Sequence, residues 1–289
     1  MLAAGMGNPF AFPLIWPAKP KCLYSFKGKI QLQRVLEDVR ALGLEEKTRI
    51  VIGYRGERIR EFIRKSDFKV ELVENPRYRE SAIYSVLTGI EGVDEDVLLM
   101  FADERIKLES LRRLIQTDTG LGFLMSKDFL YYCSIVLKVG KEKLDLFRDQ
   151  RYLSDEFLAD ARRFLCDDSG RPLGKVLPPP AGIYLRSGWA LDFMIIDIIR
   201  RVCKLNKATD PIGGGERDFS PVPFDESAEY MGDLDRFWQT DEYRNSAFVR
   251  FVFHLEVAVR LVERSVTILK HPVRTLRSLR NRLRRRKSS

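Results

Sequence analysis

Four short stretches of this 289-residue chain carry residues suited to handling phosphate groups. They are LAAGMGN with the PAKPKCLYSFKGK that follows it, VENPRYRESAIYS, FADE, and YMGDLDRFWQTDEY. Glycines such as Gly5 and Gly7 let backbone N–H groups approach an anion and point at it, and the nearest cations, Lys19 and Lys21, are spaced by Pro20. Asp103 closes an apolar run, and Asp233 and Asp235 form an Asp-x-Asp pair. Lysines near a carboxylate-held divalent cation can bring two anions together and stabilise charge on a departing phosphate. A phosphomonoester nucleophile is already largely dianionic near neutral pH, so such chemistry needs no general base. That matters here, because His254 and His271 are the whole histidine complement and leave little for a histidine base. His254, among Phe251, Phe253 and Leu255, is expected to be a packed or capping residue.

The elements that must position these residues are legible in the first half. Leu32, Leu36, Val39 and Leu42 recur at helical spacing and stop at Gly43, a natural C-terminal cap. TRIVIGY reads as a strand, residues 56–65 as a short helix on Ile59, Phe62 and Ile63, FKVELVE as a strand, Ala82–Glu91 as a helix, and DVLLMFA as a buried strand. This alternation predicts an α/β fold, a Rossmann-like, doubly wound, mostly parallel sheet with ligands bound beyond the carboxyl ends of its strands. The second half is less regular. A helix is expected from Ser154 through Phe157, Leu158, Ala161 and Leu165, then a proline break and strand in VLPPPAGIYLRS. GWALDFMIIDIIRRVCKL reads as a buried helix, DPIGGGERDFSP as a loop, and residues 241–269 as a long helix divided by Pro272 from a basic tail.

Composition bounds the rest. A content of 45% hydrophobic and 31% charged residues supports a sizeable core. The apolar runs are too short to cross a bilayer and the first residues do not resemble a secretory signal, so the cytoplasm is the expected compartment. Cys22, Cys133, Cys166 and Cys203 lie far apart, which argues against a zinc site or a disulfide framework and for reduced, structural thiols. The net charge of +9 is concentrated in residues 265–289, which hold nine Lys or Arg and no acid. Val273, Leu276, Leu279 and Leu283 are spaced there as a basic amphipathic helix would require. An anionic membrane surface, met through residues 270–289, and a merely solvated tail are both open; nucleic acid ranks behind them.

Taken together, the four stretches resemble the nucleotidyltransferases that activate sugar phosphates and phospho-alcohols, the MobA-like NTP transferase fold. Within that group NPRYRESAIYS is most similar to the phosphocholine-type cytidylyltransferases. The resemblance is good over residues 1–110 and moderate over 225–245. It implies a fold of the nucleotide-diphospho-sugar transferase type over residues 1–243, with a nucleotide-binding half (1–110), an acceptor half (111–243) and a helical C-terminal extension with the basic tail (244–289). It also implies a magnesium-dependent transfer from a nucleoside triphosphate, CTP favoured, to a phospho-alcohol or phosphonate, with a sugar 1-phosphate as the next acceptor class. Such products feed phospholipid or cell-surface polymer synthesis, which fits an enzyme at the inner face of the membrane.

Residue by residue, the resemblance puts Leu2, Ala3, Ala4, Gly5, Met6 and Gly7 around the base and triphosphate, and Lys21 on the phosphates with Lys19 assisting. Asp103 and Asp235 would be the magnesium ligands, and Asn75, Tyr84 and Ser85 would recognise base and ribose. Each has a plainer alternative. Asp103 could cap a helix beginning after residue 106, Asp235 could sit in a polar turn, Lys21 could be a surface lysine, Asn75-Pro76 could punctuate a loop, and Ser85 could be an ordinary helical residue. The chain departs from the pattern twice: Pro9 stands where the family has an arginine, and only Met1 and Leu2 precede Ala-Ala-Gly, as if translation were assigned to start too late. A non-catalytic relative acting as a membrane-associated scaffold is therefore the rival expectation. A choline-like acceptor would need aromatic faces, and aromatics such as Tyr131, Tyr132, Tyr184, Trp189, Phe237 and Trp238 are plentiful, although most of them are expected to be core.

Overall fold

The computed structural model describes residues 1–5, 19–126, 136–157, 219–224 and 240–248, with helical positions 194, 195, 197, 198, 201, 250, 251 and 254. The first half forms as its periodicity requires. Helix α1 (Gln31–Ala41) buries Leu32, Val35, Leu36 and Val39 and ends at Leu42, and Gly43 follows with φ +72°. Strands β1 (Leu2–Ala3), β4 (Arg49–Ile52) and β5 (Glu71–Glu74) lie parallel in the order β1-β4-β5, with α1 crossing from β1 to β4 and α2 (Gly56–Lys65) from β4 to β5, and α3 (Ala82–Ile90) follows β5. The run DVLLMFA divides between two neighbours: β6 (Val97–Leu99) pairs antiparallel with β8 (Leu137–Val139), and the next residues flank β1 through a parallel Leu2–Phe101 bridge. The resulting order β5-β4-β1-β6 is that of a doubly wound sheet.

Beyond β6 the sheet continues as β8, β7 (Leu121–Ser126) and β9 (Phe219–Phe224). β8 runs antiparallel to both neighbours, whereas β7 and β9 are parallel, so the sheet is mixed but mostly parallel. Helix α4 (Leu108–Ile115) packs Leu111 and Leu114 into a cluster with Met100, Leu124 and Val136. Helix α5 (Leu144–Arg148) and the turn Gln150–Leu153 cover the other side through Leu144, Phe147 and Tyr152. Met194, Ile195 and Ile198 are helical and buried in that same cluster, as the run GWALDFMIIDIIRRVCKL predicts. The Tyr152 hydroxyl donates to Asp197 at 2.7 Å, which fixes this helical segment to the 150–153 turn.

Several expectations need correction. DPIGGGERDFSP is not loop to its end, because Phe219–Phe224 form β9. A strand with Pro221 and Pro223 at alternate positions lacks donors along one side and can pair fully only along the other, and β9 has β7 there. FKVELVE is a strand only from Glu71, since β4 supplies partners only from Arg49 onward. The helix expected from residue 241 is interrupted: Asp241–Asn245 (α6) stops at Ser246, whose backbone is extended, and helix resumes at Ala247. His254 is neither packed nor capping; it is exposed, with Nε2 3.0 Å from the Tyr243 hydroxyl. The strand within VLPPPAGIYLRS, most of the helix after Ser154 and the tail lie outside the described residues.

Gly53, directly after β4, is a packing constraint. A Cβ placed there would lie 2.7 Å from the Tyr78 Cβ and 2.9 Å from the Ala4 Cβ. Gly53→Ala should therefore lower stability by about 1–3 kcal/mol, as overpacking does; urea unfolding followed by circular dichroism measures it, and an unchanged midpoint would contradict the close approach.

Candidate active site

Each segment that the sequence nominates is set by a strand end or by the core beneath it. Ala3, Cys22 and Ala102 belong to one buried cluster, together with Leu23, Leu32, Leu36, Ile50 and Ile52. Their chain neighbours are Ala4, Lys21 and Asp103, so the same apolar contacts that hold the core fix three points of the candidate site. Leu2 and Ala4 are buried, and Ala4 accepts from the Tyr54 N–H at 3.2 Å. Gly5 ends the described part of the loop; Met6, Gly7 and Pro9 lie outside it.

Lys21 opens a short 3-10 turn, Lys21–Leu23, that buries Cys22 and Leu23. Its Nζ stands 3.8 Å from Asp103 Oδ2, with the two side chains 18% and 25% exposed. That separation exceeds hydrogen-bond reach, so the contact between the two groups is electrostatic. Asp103 is not the cap of α4: the N-terminal cap is Lys107, and no side chain caps the helix. Instead the loop carrying it is tied back to α1. Arg105 donates to both Asp38 oxygens at 2.6 and 2.8 Å, and Gln31 Nε2 lies 3.5 Å from the Asp103 carbonyl oxygen. The Asp38 carboxylate holds the Arg105 guanidinium above its ordinary range through that hydrogen bond. Burial, and secondarily the Asp103 charge, push the Cys22 thiol far up, so it stays protonated and is no nucleophile.

The expected base-and-ribose residues lie at the other side of the same edge. Asn75 follows β5 and is buried; its Nδ2 donates to Ser85 Oγ at 2.9 Å and its Oδ1 accepts from the Arg77 N–H at 2.9 Å. Both side chains thus fasten the 75–81 loop to α3, and Ser81 caps that helix by accepting from the Ile83 N–H. Tyr84 joins neither. Its ring carries the Arg77 guanidinium 3.7 Å from the centroid, and it lines a cavity of about 180 Å³ with Arg77, Glu80, Ser81, Tyr152, Leu153 and Asp155. Between Asn75 and Asp103 stand β4 and β1, so the two groups are three strand spacings apart, ~14 Å, room for a nucleotide laid across the edge.

Lys19 faces elsewhere. It donates to Glu242 at 2.6 Å and lies 4.6 Å from the Tyr24 ring centroid. Asp235 and Asp233 fall outside the described residues, as do Tyr131, Tyr132, Tyr184, Trp189, Phe237 and Trp238. Among the described residues no group of three or more His, Cys, Asp or Glu could hold a metal. Magnesium does not require one, since it is commonly held by one or two carboxylates plus substrate phosphates and water, and the part-exposed Asp103 carboxylate suits it. Sequence reasoning missed Gly53 and Tyr78 beside Ala4, although a glycine directly after a strand is a readable signal. It also missed Asp241 and Glu242, whose partners are too distant in sequence for any local pattern to reveal.

Residues 1–121 match the MobA-like NTP transferase domain. Over 118 residues the chain is 32% identical to a protein of Rubrobacter xylanophilus named bifunctional IPC transferase and DIPP synthase, covering 41% of this chain and 26% of that one. The chain therefore spans about a quarter of the length of this relative. Among solved structures, the inositol-1-phosphate CTP transferase from T. maritima aligns at 16% identity and a TM-score of 0.41, covering 50% of this chain and 71% of that one. A nucleotidyl transferase from Methanothermobacter thermautotroptrophicus aligns at 23% identity and a TM-score of 0.42, with 53% and 74% coverage.

Asn75→Ala removes a buried donor–acceptor pair and a loop acceptor, and should cost about 1–3 kcal/mol of stability. Urea unfolding in the absence of nucleotide measures this; no loss would leave the Asn75–Ser85 contact without structural weight.

Proposed function

From a MobA-like NTP transferase domain over residues 1–121, we infer a nucleotidyltransferase that joins a nucleoside triphosphate to a phosphorylated small-molecule acceptor with release of pyrophosphate. An acceptor phosphate oxygen attacks the α-phosphorus, a P–O bond forms there, and the bond to the β-phosphate oxygen breaks. The observation that carries this reading is the approach of Lys21 to Asp103 at the carboxyl edge of the sheet, with Ala4 between Asp103 and Gly53. The Lys21 ammonium supplies positive charge where two phosphate groups must meet, and the Ala4–Gly5 backbone offers a close approach for the nucleotide. Asp103, with Asp235 as the second expected ligand, would hold the magnesium ion, which when bound supplies charge neutralisation for the triphosphate. The Arg105–Asp38 pair keeps the Asp103 loop in place while these charges change.

CTP is the favoured nucleotide, supported by the similarity of NPRYRESAIYS to phosphocholine-type cytidylyltransferases. A phospho-alcohol or phosphonate is the favoured acceptor, and a sugar 1-phosphate the next. Pro9, in place of the family arginine, favours a second reading in which the chain binds nucleotide without turning it over.

The tail supports contact with an anionic membrane surface. Nine basic residues without an acid would be drawn to anionic lipid, and Phe248 and Phe251, which precede the tail in sequence, are 53% and 64% exposed. No helix among the described residues is long and apolar enough to cross a membrane.

Pyrophosphate release with each nucleoside triphosphate and a panel of phosphorylated acceptors tests the enzyme reading. Turnover should be greatest with CTP, and Asp103→Asn or Lys21→Met should reduce kcat ~100-fold or more while the fold is retained. No turnover with any pair would favour the binding-only reading, and an unchanged rate in Asp103→Asn would remove its assignment. Flotation with phosphatidylglycerol vesicles should recover the full chain but not one lacking residues 270–289; equal recovery would reject the tail as the contact.

A further inference from the structure

The first turn of α6 grips the segment that carries the candidate phosphate lysine. Strands β2 (Ser25–Phe26) and β3 (Lys29–Ile30) form a hairpin just after Lys21–Leu23, and its turn residues Lys27 and Gly28 both have positive φ, +50° and +77°. This is the two-residue turn that matches strand twist, and it leaves consecutive N–H groups pointing outward together. Asp241 takes both, from Lys27 N at 3.0 Å and from Gly28 N at 2.6 Å. Glu242 takes the Ser25 N–H at 3.1 Å on each oxygen and the Lys19 ammonium at 2.6 Å. Thr240, fully buried, caps α6 by accepting from the Tyr243 N–H, so both acids leave a helix start of fixed direction.

The geometry therefore clamps Lys21 from both sides. Before it, Lys19 is held between Glu242 and the Tyr24 ring; after it, Ser25 and the hairpin turn are held by Glu242 and Asp241. The Glu242 side chain is only 16% exposed and that of Lys19 23%, so this ion pair is better shielded than an ordinary surface contact. We propose that Glu242, through Lys19 and the Ser25 amide, is a positioning residue for Lys21, making residues 240–245 part of the apparatus that sets the lysine against Asp103. Lys19 is then a tether and not a second phosphate ligand. This role rests on the nucleotidyl-transfer reading.

Three variants of the full chain test it: Glu242→Ala, Glu242→Gln and the charge-keeping Glu242→Asp. Two readouts are needed, hydrogen exchange of the Ser25, Lys27 and Gly28 amides, which requires no turnover, and the separate kcat and KM values for nucleotide and acceptor. Glu242→Ala should speed exchange of the Ser25 amide at least ~10-fold and lower kcat at least ~10-fold, with the acceptor KM within ~2-fold. Glu242→Gln keeps an acceptor for Ser25 but loses the ion pair and should fall between, while Glu242→Asp should restore most of kcat. A melting temperature lowered equally in all three, with kcat following it, would mean a structural role alone and overturn the proposal. So would a normal kcat in Glu242→Ala beside faster exchange. A wild-type chain without turnover would instead overturn the nucleotidyl-transfer reading, and this role with it.

Discussion

The fold and its candidate site depend on a strand of two residues. β1 lies between the two halves of the sheet and is bonded on both sides: the Val51 N–H donates to the Met1 carbonyl at 2.9 Å, the Leu2 N–H to the Met100 carbonyl at 2.8 Å, and the Ala102 N–H to the Leu2 carbonyl at 2.9 Å. Without these bonds the parallel half, β5-β4-β1, and the mixed half, β6-β8-β7-β9, would share no described strand pairing. The register that they impose brings Ala4 and Asp103 to one edge. Leu2 and Ala4 add side chains to the cluster of Val51, Ile83, Val86 and Leu99, while Ala3 faces Ile50, Ile52 and Ala102. A one-residue slip of β1 would exchange these faces and move the loop that begins at Gly5 away from Asp103.

Polar contacts then refine what the sheet sets coarsely. Asp38 holds Arg105 and so the loop after Asp103; Asn75 and Ser85 hold the loop after β5; Asp241 and Glu242 hold the segment around Lys21. Each joins elements that the core leaves free to shift at their ends. Buried or shielded hydrogen bonds of this kind are costly to break, and they favour one arrangement of an edge otherwise made of loops. The result is an edge on which a lysine and a carboxylate stand opposed.

Periodicity made α1, α2, α3, β4 and β5 legible because each is long enough to show its repeat, whereas the two-residue β1 shows none. Leu32, Leu36 and Val39 mark one helix face, and IVI marks a strand buried on both sides. The same signal failed for β8, which has three residues, and for β9, whose Pro221 and Pro223 look like loop punctuation unless the strand is known to pair on one side. Site legibility followed the same division. Lys21 and Asp103 were found from local motifs and are brought together, whereas Asn75 and Ser85 were found as ligand contacts and are seen to fasten each other. Asp241 and Glu242 sit in a readable helix start, but no local pattern says which amides a helix start will meet more than two hundred residues upstream.

The proposed reaction moves a nucleotidyl group onto a phosphate oxygen at this edge. The most direct measurement is phosphorus NMR of the product made from CTP and an acceptor whose phosphate oxygens carry a heavy-oxygen label. The expected product is a diphosphodiester with label in the bridge between its two phosphorus atoms, beside unlabelled pyrophosphate. A bridge without label, or CTP cleaved to CDP and orthophosphate, would contradict it.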